Sequence, residues 1–157
     1  SPDAREWRAE VLVELGSASL WAMKMPAVLT RAKEADALVR TLGIPVGDVL
    51  ASPFCRTMET AQLIFGRATA TPAVRGGPAQ VDSPERYAPL RELLGQRVPV
   101  GTNVAIVSHG NPFRAVVGGP YLAEGEAAVI EPQGRAGFHV VARVRFDAWR
   151  SLGTAPN

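Results

Sequence analysis

Two stretches, far apart in the sequence, place residues that can bind an anion where strands are predicted to end. In the first, the apolar run Val46–Leu50 predicts a buried strand, and the block Ala51–Ala61 follows it directly. Ser52 is suited to cap a helix that begins at Pro53, where a missing N–H costs nothing. Arg56 then lies in the first helical turn. A helix N-terminus with an arginine beside it favours a negatively charged ligand.

The second stretch repeats this arrangement near the other end of the chain. The apolar segment Thr102–Ser108 predicts a strand, and a short helix is predicted over residues 112–117. Between them lie His109, Gly110 and Asn111. The glycine lets backbone approach a ligand closely, and the N–H groups of this turn are further donors to an anion. Two such corners in one α/β domain predict a shared anion site.

Each stretch also has an ordinary structural interpretation. Arg56 could be solvated, or it could form a salt bridge with Glu59, three positions later on the same predicted helix. A lone histidine such as His109 is more often a hydrogen-bonded structural residue than a catalytic one. The sequence leaves these alternatives open.

Together the two stretches resemble the histidine phosphatase superfamily, the phosphoglycerate-mutase-like proteins. The family's Ser-Pro-x-x-Arg-[Thr/Ala]-x-x-Thr-Ala block is matched by residues 52–61, and its late Ser/Ala-His-Gly block by residues 108–115. Segments 122–127 and 137–149 look like the tail of bacterial, often exported members. The resemblance, from Leu29 to Trp149, implies an α/β fold. This is a three-layer αβα sandwich with a mostly parallel central sheet and a C-terminal antiparallel hairpin.

The resemblance also implies roles for individual residues. In the family an early Arg-His motif supplies the nucleophilic histidine, a second histidine assists it, arginines bind the phosphoryl oxygens and a carboxylate protonates the leaving group. Carried over, His109 and Glu124 are the catalytic candidates, and the substrate-binding candidates are Arg56, Lys24, Asn111, Gly110 and Ser52. Asp82 and Glu85 are weaker candidates for the acid. No histidine precedes His109 in this sequence, so the family's first histidine is missing.

The missing motif can be aligned in two ways. If Val11–Leu15 is the first strand, the motif falls on residues 15–17, which contain nothing catalytic. If Ala18–Met23 is the strand, Lys24 replaces the arginine and Met25 the histidine, and Pro26 follows. We prefer the second alignment, because a helix that ends in Gly16 before the first strand suits the exported relatives. The apolar residues of that predicted helix are Trp7, Val11, Leu12 and Leu15.

The remaining chain is predicted from periodicity and turn residues. A helix capped by Thr30 and closed by Gly43 precedes the first block, and Ala68–Ser83 is predicted as a long surface loop. Pro84–Gln96 is a broken helical stretch. A hairpin of Ala127–Glu131 and Gly137–Phe146 follows, with His139 facing solvent and given no role. Residues 1–157 are expected to form a single domain.

Composition limits the partners and cofactors. The 157 residues are 46% hydrophobic and 20% charged with a net charge of +2, which is typical of a globular protein and does not favour nucleic acid. No apolar run is long enough for a membrane span. The single cysteine, Cys55, excludes an internal disulfide, and no Cys/His cluster predicts a metal or other cofactor. The expected partner is a small phosphate-like anion, with a homo-oligomer left open. Exported and cytoplasmic locations both remain open, and the resemblance leans towards export.

Three functions follow from these expectations. The favoured one is a degenerate phosphatase that retains an anion pocket, because loss of a nucleophile in a hydrolase costs roughly 10⁶ in kcat. The second is an enzyme of the same fold repurposed to another reaction on an anionic substrate, with His109 as acid or base. The third is an active phosphomonoesterase whose nucleophile is His109, or whose first motif lies outside this sequence.

Overall fold

A six-stranded sheet forms the centre of the computed structural model, which describes residues 10–14, 25–77, 84–123 and 125–152. In the described residues the strand order is β3-β2-β4-β1-β5-β6. The first four strands in this order are parallel, and β5 and β6 form an antiparallel hairpin. The strands are β1 (Glu10–Glu14), β2 (Val46–Ala51), β3 (Thr69–Ala70), β4 (Asn103–Ser108), β5 (Ala127–Pro132) and β6 (Phe138–Val144).

Helices cover both faces of this sheet. They are α1 (Met25–Thr41), α2 (Cys55–Phe65), α3 (Ala88–Gly95), α4 (Gly110–Val117) and α5 (Trp149–Leu152), with 3-10 turns at Pro72–Val74, Pro84–Tyr87 and Gly134–Ala136. Successive residues of β4 enter different cores: Ile106 packs with Leu90 and Phe113, whereas Val107 packs with Ala61 of α2. The predicted α/β architecture and its C-terminal hairpin are confirmed. In the described part of the chain, no helix has both the length and the apolarity to cross a membrane.

The N-terminal prediction is wrong. Val11 and Leu12, assigned to a helix, lie in β1, which pairs with β4 on one side and β5 on the other. Met25 and Pro26, which the preferred alignment of the missing motif places at the tip of a strand, are instead the first residues of α1. The predicted strand Ala18–Met23 lies outside the described residues. A strand buried between two neighbours shows a continuous apolar run, and such a short run also fits a helical face.

Helix α2 begins later than predicted. Its first residue is Cys55 and its N-cap is Phe54, which makes no side-chain capping bond. Ser52 therefore does not cap this helix. Instead, the hydroxyl of Thr57 donates to the carbonyl oxygens of Ser52 and Phe54, both at 2.8 Å, and fixes the turn between β2 and α2. Helix α1, in contrast, begins before the predicted cap Thr30.

The predicted loop Ala68–Ser83 is partly regular structure where it is described. It contains β3 and a 3-10 turn whose last residue, Val74, is fully buried in the core. The hydroxyl of Ser108 donates to the Val74 carbonyl at 2.8 Å. This bond anchors the segment to the carboxyl end of β4, so the residues that follow Val74 are held close to His109.

Candidate functional site

The carboxyl ends of β2 and β4 meet at one edge of the sheet. The two strands are parallel neighbours with Ala51 opposite Val107, and the Ser52 N–H donates to the Val107 carbonyl at 2.9 Å. Parallel strands that end together place the residues after them in one crevice, where α/β proteins bind ligands. The structure therefore brings Arg56 and His109, 53 positions apart in sequence, into direct contact.

The imidazole of His109 is held through both of its nitrogens. Arg56 Nη2 lies 2.8 Å from Nδ1, and Ser52 Oγ lies 2.8 Å from Nε2. A guanidinium can only donate, so Nδ1 must accept. The ring proton is therefore assigned to Nε2, which donates to Ser52 Oγ, and the imidazole is neutral.

The electrostatic surroundings of His109 agree with this assignment. Burial of the ring, and secondarily the positive charge of Arg56, lower its pKa from 6.5 to about 4. The charge-assisted bond that a protonated His109 would offer an anion is therefore absent from the free protein near neutral pH.

Arg56 is positioned by aromatic and imidazole contacts. Its guanidinium carbon lies 5.2 Å from the centroid of the Phe54 ring, which in turn meets the His109 ring edge to face at 5.2 Å. Among the described residues, no carboxylate pairs with Arg56, so the alternative of a salt bridge to Glu59 is not what the structure contains. The Nε atom of Arg56 is buried and has no hydrogen-bond partner among the described residues. A buried unpaired donor of this kind calls for an acceptor.

A cavity of about 520 Å³ opens beside this pair. Three of its lining side chains are guanidinium groups and none is a carboxylate, so the lining is cationic. The lining residues are Phe54, Arg56, Arg75, Gly76, Gly77, Arg86, His109 and Asn111. Within the described parts of the chain there is no group of side chains that could hold a metal ion.

Two glycines let the wall of this cavity approach the functional side chains. A Cβ atom at Gly76 would lie 2.7 Å from His109 Cδ2, and one at Gly77 would overlap the guanidinium of Arg86. The Asn111 amide donates to the Gly77 carbonyl at 2.9 Å and accepts from the Tyr121 hydroxyl at 3.1 Å. These bonds fix the glycine segment against the first turn of α4.

Comparison with solved structures identifies this architecture. The protein histidine phosphatase SixA, complexed with tungstate, matches with a TM-score of 0.65 and 16% identity over 88% of this chain and 97% of SixA. A histidine-to-alanine mutant of phosphoserine phosphatase from Entamoeba histolytica, in complex with phosphoserine, matches with a TM-score of 0.62 and 12% identity over 87% and 96% of the two chains. The fold is that of the histidine phosphatases and phosphoglycerate mutases.

Phosphoglycerate mutase from Plasmodium falciparum shares the histidine-phosphatase fold, with a TM-score of 0.53 and 16% identity over 86% of this chain and 89% of the mutase. At these identities the likeness concerns the fold alone. No protein-family model matches the sequence, and no curated protein sequence matches it either.

The candidate residues fall into three groups in this histidine-phosphatase fold. Arg56, His109 and Asn111 line the cavity, and Gly110 is the buried first residue of α4. Ser52 is fully buried and contacts the His109 ring. Lys24, Glu124 and Asp82 lie outside the described residues, and Glu85 is exposed on a 3-10 turn. Glu126, close to Glu124 in sequence, is bound by Arg143 at 2.8 Å.

Sequence reasoning gave no role to Arg75 and Arg86, which also line the cavity. Both belong to the stretch between the two motif blocks for which the sequence predicts a loop and a broken helix. The sequence signal for them is weak: a glycine pair directly follows Arg75, and Arg86 comes eleven positions after Arg75.

The end of β1 also lies at this edge of the sheet. Glu14, its last residue, is opposite Ser108, the residue before His109. The strand thus agrees with the first of the two alignments, in which the missing motif falls on residues 15–17. These residues, Leu-Gly-Ser, lie outside the described residues and include no histidine.

Proposed function

We propose that this protein binds a phosphate-like anion in the Arg56–His109 cavity and hydrolyses phosphomonoesters little or not at all. The observation that carries the proposal is the cationic lining of that cavity, which includes a buried Arg56 Nε without an acceptor among the described residues. An arginine presents a planar fork of donors that matches the oxygens of a phosphate. The bound group would accept from the guanidinium of Arg56.

The state of His109 supports binding over catalysis. Attack on phosphorus requires a free nitrogen lone pair, and the one lone pair of this neutral imidazole already accepts from Arg56. The proton of the imidazole lies on Nε2 and is donated to Ser52 Oγ. We therefore assign His109 the role of orienting Arg56 in the free protein. The only other histidine in the sequence, His139, lies exposed on β6, an edge strand of the described sheet.

Two of the similar structures carry ligands that suit this proposal. SixA was solved with tungstate, an oxyanion. The phosphoserine phosphatase mutant, in which a histidine is replaced by alanine, was solved with phosphoserine. By analogy, a chain of this fold that lacks a histidine can still bind a phosphorylated ligand, and we transfer that property to the present protein.

Calorimetric titration with inorganic phosphate tests the binding part. Wild type is expected to bind, and Arg56→Ala to bind at least about tenfold more weakly, because a charge-assisted donor to the anion is lost. Arg40→Ala is the matched control: it removes the same charge from an exposed position on α1, where Arg40 pairs with Asp36, and it should leave the affinity unchanged. Equal affinities for Arg56→Ala and wild type would overturn the site.

A colorimetric phosphomonoester assay on the same proteins tests the catalytic part. The proposal expects no turnover above the level of the buffer. Turnover that His109→Ala abolishes would instead identify an active phosphomonoesterase with His109 as its nucleophile. Turnover that survives His109→Ala would place the chemistry on another group.

A further inference from the structure

A second group of arginines lies at the edge of the sheet opposite to the Arg56–His109 cavity. Strand β5 is antiparallel to β1, so the hairpin turn that follows β5 lies at the amino ends of the parallel strands. Gly95, the last residue of α3, packs against this turn. The Arg56–His109 cavity lies at the carboxyl ends of the same strands. Because β4 has six residues, the two edges are roughly 20 Å apart.

A groove of about 860 Å³ lies between the end of α3 and the hairpin turn, and we call it the amino-edge groove. Every side chain in its lining is polar or charged, and the remaining lining residues are glycines. Most of these side chains are exposed, so the groove is open to solvent, unlike the mostly apolar pockets that enclose small molecules. The side chains are those of Arg91, Glu92, Gln96, Arg97, Gln133 and Arg135.

Backbone contacts fix the shape of the amino-edge groove. A Cβ atom at Gly95 would lie 3.0 Å from the Gly134 carbonyl oxygen and 3.1 Å from that of Gly137, so the end of α3 packs directly against the turn. Gly134 and Gly137 have φ angles of 62° and 93°, which favour glycine. Arg91 is held by a bond from its Nη2 to the Ala115 carbonyl at 2.9 Å. The glycine backbone in the wall lets an extended chain approach closely.

The charges of the amino-edge groove are spread over its length and are not all of one sign. Arg91 lies on α3, Arg97 follows that helix and Arg135 lies in the 3-10 turn of the hairpin. Among the described residues, no carboxylate forms an ion pair with Arg97 or Arg135. Guanidinium groups on separate segments suit several separate carboxylates better than one compact ion.

Two features of the lining argue against nucleic acid as the occupant. The carboxylate of Glu92 lies in the same groove and would repel a continuous row of phosphates. The lining also contains no aromatic side chain on which a base could stack. An acidic polypeptide has more widely spaced charges, and its backbone groups can bond to the amides of Gln96 and Gln133.

We propose that the amino-edge groove binds an extended, acidic segment of a partner protein. Carboxylates of that segment pair with Arg97 and Arg135, and its backbone lies along the glycine wall. This interaction is separate from anion binding in the Arg56–His109 cavity, and either one can hold without the other.

Fluorescence anisotropy with a fluorescein-labelled hexaglutamate peptide tests the groove. At constant ionic strength, wild type is expected to bind the peptide, and the double variant Arg97→Ala/Arg135→Ala to bind it at least about fivefold more weakly, because two exposed ion pairs are lost. The matched control is Arg40→Ala/Arg145→Ala, which removes the same charge from two other exposed positions and should leave the affinity unchanged. Equal losses in the two double variants would mean general electrostatic attraction and would overturn the groove.

Two single variants separate the shape of the groove from its charge. Gln96→Trp keeps the net charge but places a bulky side chain in the groove, and it should weaken peptide binding at least about fivefold. Glu92→Gln removes the like charge from the lining and should strengthen binding about twofold. Both positions are exposed, and unfolding in urea should confirm that neither change alters stability. Unchanged binding in Gln96→Trp would contradict the proposal.

Two further outcomes would place the ligand or its site elsewhere. If fluorescein-labelled hexathymidylate binds as tightly as hexaglutamate and is lost in Arg97→Ala/Arg135→Ala, the groove is a nucleic-acid site and the acidic-peptide proposal is wrong. If Arg56→Ala abolishes peptide binding and Arg97→Ala/Arg135→Ala does not, the peptide binds in the Arg56–His109 cavity instead. Failure of wild type to bind hexaglutamate would overturn the amino-edge groove while phosphate binding at Arg56 stands.

Discussion

At the residue scale, the chemistry of the site depends on the protonation of His109. Its Nδ1 accepts from Arg56 and its Nε2 contacts Ser52, so the neutral ring is the form that satisfies both partners. Burial and the neighbouring positive charge favour the same form, and the pKa falls to about 4. A neutral imidazole that accepts from the arginine and donates to the hydroxyl holds the arginine in place. Protonation of the ring becomes favourable only when an anion binds beside it.

An NMR titration of the histidine signals measures the pKa of His109 directly. We expect the pKa of His109 to be about 4 in wild type, and to rise in Arg56→Ala while staying below 6.5, since burial is the larger cause. Saturating phosphate should also raise this pKa, because a bound anion favours the imidazolium. His139→Gln assigns the signals.

The same pKa predicts how folding stability depends on pH. The folded state favours the neutral ring, so the contribution of His109 is fully present above 6.5 and is lost as the pH falls through about 4. A wild-type pKa of His109 near 6.5 would contradict both the burial and the contact with Arg56.

At the element scale, the segment between β3 and α3 forms one wall of the site. It is anchored at one end by the bond from Ser108 to the Val74 carbonyl, and at the other by the bond from Asn111 to the Gly77 carbonyl. Gly76 is buried between these anchors and lies against the His109 ring. The segment therefore cannot easily move away from the His109 ring if Gly76 or Gly77 is replaced by a larger residue.

Gly76→Ala and Gly77→Ala form a matched pair that tests this rigidity. The new Cβ at position 76 would meet the His109 ring, which is held on both sides, whereas at position 77 it would meet the flexible end of Arg86. We expect Gly76→Ala to lower the free energy of unfolding in urea by about 1–3 kcal/mol, as for overpacking. Gly77→Ala should cost clearly less. Equal losses would mean that the His109 ring can move aside freely.

At the scale of the whole molecule, the architecture and the convergence of the two motifs could be predicted from the sequence. Stretches rich in apolar residues at 46–50, interrupted by Asp48, and at 102–108 predict two strands, and the carboxyl ends of parallel strands meet at one edge. This is enough to place Arg56 near His109. The C-terminal hairpin followed from alternation and from the turn at Gln133 and Gly134.

Other features depend on tertiary contacts that leave little local signal. Strand β1 is short, and it is defined by pairing with β4 and β5 on either side, not by its own periodicity. The positions of Arg75 and Arg86 in the cavity lining depend on tertiary contacts. Among these are the hydrogen bonds from Ser108 to the Val74 carbonyl and from Asn111 to the Gly77 carbonyl. The helical start at Cys55 depends on Thr57, whose hydroxyl satisfies the carbonyl groups before the helix.

Whether the cavity binds a phosphomonoester and leaves it intact can be tested in one sample by ³¹P NMR of propyl phosphate mixed with the protein. We expect the propyl phosphate resonance to broaden or shift with wild type but not with Arg56→Ala, and we expect no inorganic phosphate resonance to grow during prolonged incubation. Steady growth of the inorganic phosphate resonance with wild type, abolished in His109→Ala, would show that the cavity hydrolyses the ester.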